Sequence, residues 1–304
     1  MTRARAITYV LAAGALWGCI SLFVRHLSAA GLSTMDIAGV RMLVGAIGMF
    51  AIVLVVDRSL LRIRLRDLWM FIGTGVVSVM LFNVCYFTCM TISEASIAVV
   101  LLYTSPIFVM LMSAVFFKER VTPRKVVAIA MTFAGCVLVS GLLGGAVQLT
   151  PFALVVGVAA GFFYATYSIF GRVALTRYKP LTITFYTFVT GAIASFVLAD
   201  YGNVATVISS QPLDILWIIG LGVICTIAPY LLYTSGLEHL DPGLAAVFAT
   251  VEPLVGGLLG ILAYGESAGP LKIAGMALIL AAVVLVSLDP KDSARDPKMA
   301  DNSA

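Results

Sequence analysis

Two full charges, Glu252 and Arg41, lie inside long apolar runs, and their types and surroundings demand a chemical reason. A charged side chain at a bilayer centre costs about 2.5–3.5 kcal/mol on insertion scales. Glu252 falls near the middle of its run, beside Pro253. Burial favours the neutral form of a carboxyl, so Glu252 could take up and release a proton or pair with a substrate ammonium. The alternative is a Glu that only hydrogen-bonds a neighbouring helix. Arg41 lies about five residues inside the edge of its run, roughly 7 Å along a helix. Its long stem can return the guanidinium to the interface, so Arg41 is read either as a charge-pairing residue or as a tether.

Three prolines, Pro106, Pro229 and Pro253, interrupt apolar runs. Proline lacks an amide donor and crowds the carbonyl four residues back, which at 106 and 253 frees the carbonyls of Leu102 and Ala249 for a ligand or a hydroxyl. A lining for a binding site is offered by Trp17, Asn83, Tyr86, Tyr103, Tyr164, Tyr230 and Tyr233, with Tyr167 beside them. Such rings could stack on an apolar or aromatic substrate while the hydroxyls orient its polar end; helix packing is the competing use.

These groups need elements that hold them in lipid. Of 304 residues, 61% are hydrophobic and 11% charged, with a mean hydropathy of +1.08, against roughly 45–50% and about 25% in soluble domains. That balance excludes both a soluble domain and a disordered chain. The net charge of +4 is scattered between the runs, so no nucleic-acid partner is expected. Cys19, Cys85, Cys89, Cys136 and Cys225 all fall inside apolar runs, without metal-type or disulfide spacing. They read as small buried hydrophobes, and neither a metal nor a cofactor is expected.

A spanning helix takes about 20 apolar residues. Ten such runs occur, at 6–24, 37–56, 68–91, 96–117, 125–143, 151–170, 181–199, 213–235, 243–263 and 271–288. The first follows Arg3 and Arg5 as in a signal peptide, but its length and its later repetition mark it as a span. Sixteen of the 19 Lys and Arg residues fall in segments that share a side with both termini; Arg25 and Lys272 fall opposite, and Arg41 lies within a span. The positive-inside rule places both termini in the cytoplasm, and the expected location is an inner, or plasma, membrane. Residues 289–304 read as an unstructured cytoplasmic tail.

Sliding the chain by 147 residues without a gap superposes its halves. Ala98, Pro106, Glu119, Pro123, Lys125 and Ser140 meet Ala245, Pro253, Glu266, Pro270, Lys272 and Ser287. Gly14 and Arg25 meet Gly161 and Arg172, and Tyr86 meets Tyr233. Five spans per repeat is an odd number, so the second copy enters the membrane from the other side. The expected fold is an all-α integral membrane protein of ten helices in two inverted repeats, 1–145 and 146–288. Inverted repeats with broken helices are a recurring plan of secondary transporters.

Ser105-Pro106 through Phe117-Lys118-Glu119-Arg120, echoed by Glu252-Pro253 through Tyr264-Gly265-Glu266, resembles the paired signatures of the EamA family in the drug/metabolite transporter superfamily. Leu16-Trp17-Gly18 and Arg41 resemble that family's other marks. The second repeat departs where Tyr164 replaces Trp17 and Phe188 or a neighbour replaces Arg41. The resemblance implies export of small metabolites or amino acids. A passive channel is the alternative; a membrane enzyme is disfavoured, since no His-Glu-x-x-His, Gly-x-Ser-x-Gly or phosphate-cradling glycine loop occurs. The expected partners are a small-molecule substrate and the lipid bilayer, with protons added if Glu252 is the group that titrates. With both repeats in one chain, a monomer suffices.

Overall fold

The computed structural model describes residues 1–93, 95–142 and 149–288. The expected tail at 289–304 and the expected repeat boundary at 145 lie outside them. Among the described residues the chain is helical, without strands. Eight helical stretches are long and apolar enough to cross a membrane: Arg3–Ala29, Thr34–Val56, Leu65–Ile92, Ser96–Phe117, Pro151–Ala174, Asp214–Leu237, Pro242–Tyr264 and Pro270–Ser287.

Two of the ten expected spans are shorter. The helix expected at 125–143 is Pro123–Val139, 17 residues, and carries Arg124 and Lys125 in its first turn. The one expected at 181–199 is Pro180–Ser195, 16 residues. At 1.5 Å per residue it reaches about 24 Å, less than the roughly 30 Å of a hydrocarbon core. Turns over 196–198 end it, and Tyr201–Ser210 forms a further short helix, capped by Asp200, where the sequence suggested a connection.

Local chemistry sets the ends. We number the helices α1 (Arg3–Gly18), α2 (Ile20–Ala29), α3 (Thr34–Val56), α4 (Leu68–Ile72), α5 (Phe82–Ile92), α6 (Ala95–Leu102), α7 (Ser105–Phe117), α8 (Pro123–Val139), α9 (Pro151–Ala174), α10 (Pro180–Ser195), α11 (Tyr201–Ser210), α12 (Asp214–Gly222), α13 (Ala228–Leu237), α14 (Pro242–Ala249), α15 (Val251–Tyr264) and α16 (Pro270–Ser287). Ser33 and Asp36 form a capping box at the start of α3, and Thr122 and Thr150 cap α8 and α9, each with proline following. Lys118 at φ 54° and Gly265 at φ 64° are left-handed caps of α7 and α15, 147 residues apart.

Two interruptions position the centre of the molecule. The fourth expected span breaks between α6 and α7, and the ninth between α14 and α15; α6 ends at Leu102 and α14 at Ala249, again 147 apart. A threonine closes the turn at each break: the Thr104 hydroxyl donates to the Leu101 carbonyl at 2.6 Å and that of Thr250 to Val247 at 2.5 Å, beside the backbone N–H each carbonyl already accepts. The third and eighth spans contain π-helical stretches, Gly73–Leu81 and Val223–Ile227. There Ser78 and Thr226 donate to carbonyls five residues back, at 2.7 and 3.0 Å.

The halves interlock by exchange: α1 packs on α13, α14 and α15, while α9 packs on α5, α6 and α7. Gly14 and Gly161 make this possible. A Cβ at Gly14 would lie 2.6 Å from the Ala249 carbonyl oxygen, and one at Gly161 2.9 Å from that of Leu101, so the first helix of each half rests on the other half's broken backbone. Gly14→Ala and Gly161→Ala are each expected to destabilise the protein by about 1–3 kcal/mol, read as a lowered thermal midpoint in detergent. Gly256→Ala, inside α15 and with nothing closer than 3.6 Å to its added carbon, serves as the control expected to cost little.

Candidate functional site

A cavity of ≈ 40 Å³ open to water centres lies where the two breaks face α1, α9 and α13. Its wall includes Trp17, Ser78, Val79, Phe82, Tyr103, Ser105, Pro106, Val109, Tyr164, Tyr167, Ser168, Tyr230, Tyr233, Thr250 and Glu252. One water needs about 10–15 Å³ by this measure. The cavity therefore has room for about three waters.

Tyr230 is the hub of the aromatic wall. Trp17, Tyr167 and Phe188 meet it edge to face, with centroids at 5.4, 5.1 and 5.2 Å, the arrangement the ring quadrupoles favour. Trp17 also tilts against Tyr233 at 5.5 Å. Hydroxyl pairs fix the rings: Tyr167 with Thr234 and Tyr233 with Ser168, both at 2.7 Å. On the opposite wall Phe82 meets Tyr164 edge to face at 5.2 Å.

Glu252 is half-buried in the first turn of α15, where the helix N-terminus favours negative charge. The Tyr164 hydroxyl neighbours its carboxyl and Arg41 is the cation acting on it. Arg41 lies against the Tyr230 hydroxyl, with its buried Nε lacking a hydrogen-bond partner among the described residues. Phe188, its match in the 147-residue register, flanks the same tyrosine.

Of the residues singled out in the sequence, Trp17, Tyr103, Pro106, Tyr164, Tyr230, Tyr233 and Glu252 line the cavity. Arg41 stands behind Tyr230. Asn83 is buried but donates to the Val79 carbonyl at 2.7 Å within its own helix, and Tyr86 stacks beside Phe82 at 5.6 Å; neither forms the wall. Pro253 lies one residue past the wall, and Pro229 opens α13 directly after the π-helical stretch. Sequence reasoning missed Ser78, Phe82 and Thr250. Thr250 was detectable, since its register mate is Tyr103; the π-helical turn that presents Ser78 leaves no mark in hydropathy.

Three register pairs therefore meet at one cavity: Trp17 with Tyr164, Tyr103 with Thr250, and Ser105 with Glu252. Each pair is chemically unequal, and only the last includes a carboxylate. Among the described residues no group of His, Cys, Asp or Glu is placed to hold a metal ion, and all five cysteines are free.

Known proteins share this plan. A model of the EamA-like transporter family matches residues 4–141 and again 151–288, the two matches offset by the same 147 residues. An uncharacterized transporter of Archaeoglobus fulgidus is 28% identical over 285 residues, 91% of this chain and 94% of its own. The uncharacterized transporter YwfM of Bacillus subtilis is 23% identical over 287 residues, 93% and 94% of the two chains. A crystal structure 20% identical in sequence superposes with a TM-score of 0.78 over 94% of this chain and 98% of its own, which establishes the shared fold.

Proposed function

The chain belongs to the EamA-like transporter family, and from that premise we propose that it is a secondary carrier exporting small metabolites or amino acids by alternating access. In this reading all ten apolar helices cross an inner membrane with both termini in the cytoplasm, the two short ones reaching the interface through their charged or turning ends. Residues 1–145 and 146–288 are inverted repeats, and one chain supplies both walls of the site.

The observation that carries the reading is the meeting of register-matched residues from two broken helices around one carboxylate. Broken helices expose backbone at mid-membrane only where it lines a cavity. An aromatic wall, clustered hydroxyls and a single carboxylate suit an amphipathic substrate bearing an amino group, such as an amino acid, better than a sugar.

The test has two steps. A thermal-shift screen of purified protein against amino acids, amines and nucleotide sugars identifies ligands, since one that binds the folded state raises its melting point. Counterflow in proteoliposomes then decides the mechanism: preloaded unlabelled ligand is expected to accelerate uptake of labelled ligand. A channel gives no acceleration, and that result overturns the carrier.

A further inference from the structure

The segment between α3 and α4 holds Arg58, Arg62, Arg64 and Arg66, and α10 pins it in place. Thr182 and Tyr186 donate to the carbonyls of Leu60 and Leu61 at 2.9 and 2.7 Å. Arg62 and Arg64 both have extended backbone, which puts their side chains on one face, while Ile63 between them packs into the cluster of Met70, Phe71 and Ile183. Below them Asp67, 1% exposed, is ion-paired with Arg177 and accepts from the Tyr178 hydroxyl at 2.7 Å. That hydroxyl accepts in turn from the Arg64 backbone N–H at 3.1 Å.

The result is a cleft of ≈ 510 Å³ lined by Arg62, Arg64, Arg66, Arg177, Asp67 and Tyr178. Four arginines and one carboxylate line it, and Arg177 and Tyr178 already engage the carboxylate. The segment that leaves the cleft exposes apolar side chains: Leu65 at 85% in the 3₁₀ turn Leu65–Asp67, then Trp69 at 50% and Ile72 at 42%, three residues apart on one face of α4.

We propose that this cleft binds the phosphate of an anionic phospholipid whose acyl chains lie along Leu65, Trp69 and Ile72. Guanidinium forks match phosphate oxygens, and tryptophan prefers the depth at which headgroup meets acyl chain. A free phosphate would satisfy the arginines and make no use of these apolar side chains. The site rests only on membrane embedding and is independent of the carrier reading.

The experiment titrates the purified full-length protein in detergent with phosphatidylglycerol, phosphatidylcholine or inorganic phosphate and follows the thermal midpoint. Phosphatidylglycerol is expected to raise it and the other two to leave it unchanged. In the Arg62→Gln/Arg64→Gln/Arg66→Gln variant its affinity falls about 100-fold, roughly fivefold for each charge removed. Arg5→Gln, a basic residue away from the cleft, leaves the affinity within about twofold. The triple variant removes exposed side chains and is expected to fold, checked by its midpoint without lipid. An equal shift with phosphatidylcholine, or an unchanged affinity in the triple variant, overturns the site; a full response to inorganic phosphate alone overturns its assignment to lipid.

Discussion

Glu252→Gln is expected to abolish any pH dependence of transport and to leave the protein folded. Glutamine keeps the shape of the side chain and removes its only titratable group. The wall offers no second carboxylate to take over, because the register mate of Glu252 is Ser105. Tyr164, the hydroxyl beside Glu252, can hydrogen-bond an amide as well as a carboxyl, so the helix break has no reason to collapse. The measurement is uptake into proteoliposomes across a series of pH values, with the thermal midpoint as the folding control. A flat profile is the expected result. If the profile survives and only the apparent affinity falls, by about 10–100-fold for a lost charge-assisted hydrogen bond of roughly 1.5–3 kcal/mol, the carboxylate binds a substrate ammonium and carries no proton. Unchanged uptake and profile together sink any role for Glu252 in transport.

How much of this was legible in advance depends on the length scale of the signal. Hydropathy averages over some twenty residues, and it marked the helices that carry Trp17, Tyr103, Tyr230 and Glu252. The 147-residue register went further. It pairs Gly14 with Gly161, and only the structure reveals that each presses on the other half's broken helix. Two kinds of feature stayed hidden. The lengths of Pro123–Val139 and Pro180–Ser195 depend on where charged or turning residues enter an apolar run, which a window blurs. The π-helical turns at 73–81 and 223–227 contain hydroxyl-to-carbonyl bonds from Ser78 and Thr226, but in sequence any polar residue in a span would look the same. Asn83 illustrates the second limit: its polarity is spent on its own helix.

Lys125→Met is expected to destabilise the protein by about 3–5 kcal/mol, whereas Lys272→Met, at the matched position, costs less than about 1 kcal/mol. The two corners share one local design. Glu119 N–H bonds the Ser113 carbonyl and Glu266 N–H that of Gly260, six residues back in each, and the lysine amines meet the carboxylates at 2.8 and 2.9 Å. Their surroundings differ. Lys125 and Glu119 are 2% and 6% exposed, with Glu119 accepting from the Gly243 N–H at 3.4 Å where α14 begins and Asp241 3.7 Å from Lys125. Burial raises the Glu119 carboxyl above its ordinary value in spite of Lys125. Lys272 and Glu266 are 15% and 39% exposed, and Glu266, which also pairs with Arg25 at 3.0 Å, is held below its ordinary value by Lys272 and Arg25. Removing Lys125 strands a buried carboxylate; removing Lys272 leaves one in reach of water and Arg25. Chemical denaturation of the two variants checks the difference, and Glu119→Gln added to Lys125→Met is expected to recover most of the loss.

The same inequality has a consequence for transport. Under the inverted-repeat reading one corner is buried against α14 here and its counterpart is open to water, so the opposite state exchanges their contacts. In this state Arg172 donates to the carbonyls of Leu237 and Glu238 at 2.7 and 3.3 Å. Shifted by 147 residues, those contacts become Arg25 with the carbonyls of Met90 and Thr91, and Arg172 takes the partner that Arg25 now has, becoming the counterion of Glu119. Cysteines placed at Arg25 and Thr91 in a background free of native cysteine should therefore cross-link during turnover, with a yield that rises when ligand drives the cycle. A yield indifferent to ligand means that the two corners do not exchange, and the difference between Lys125 and Lys272 is then one of stability alone.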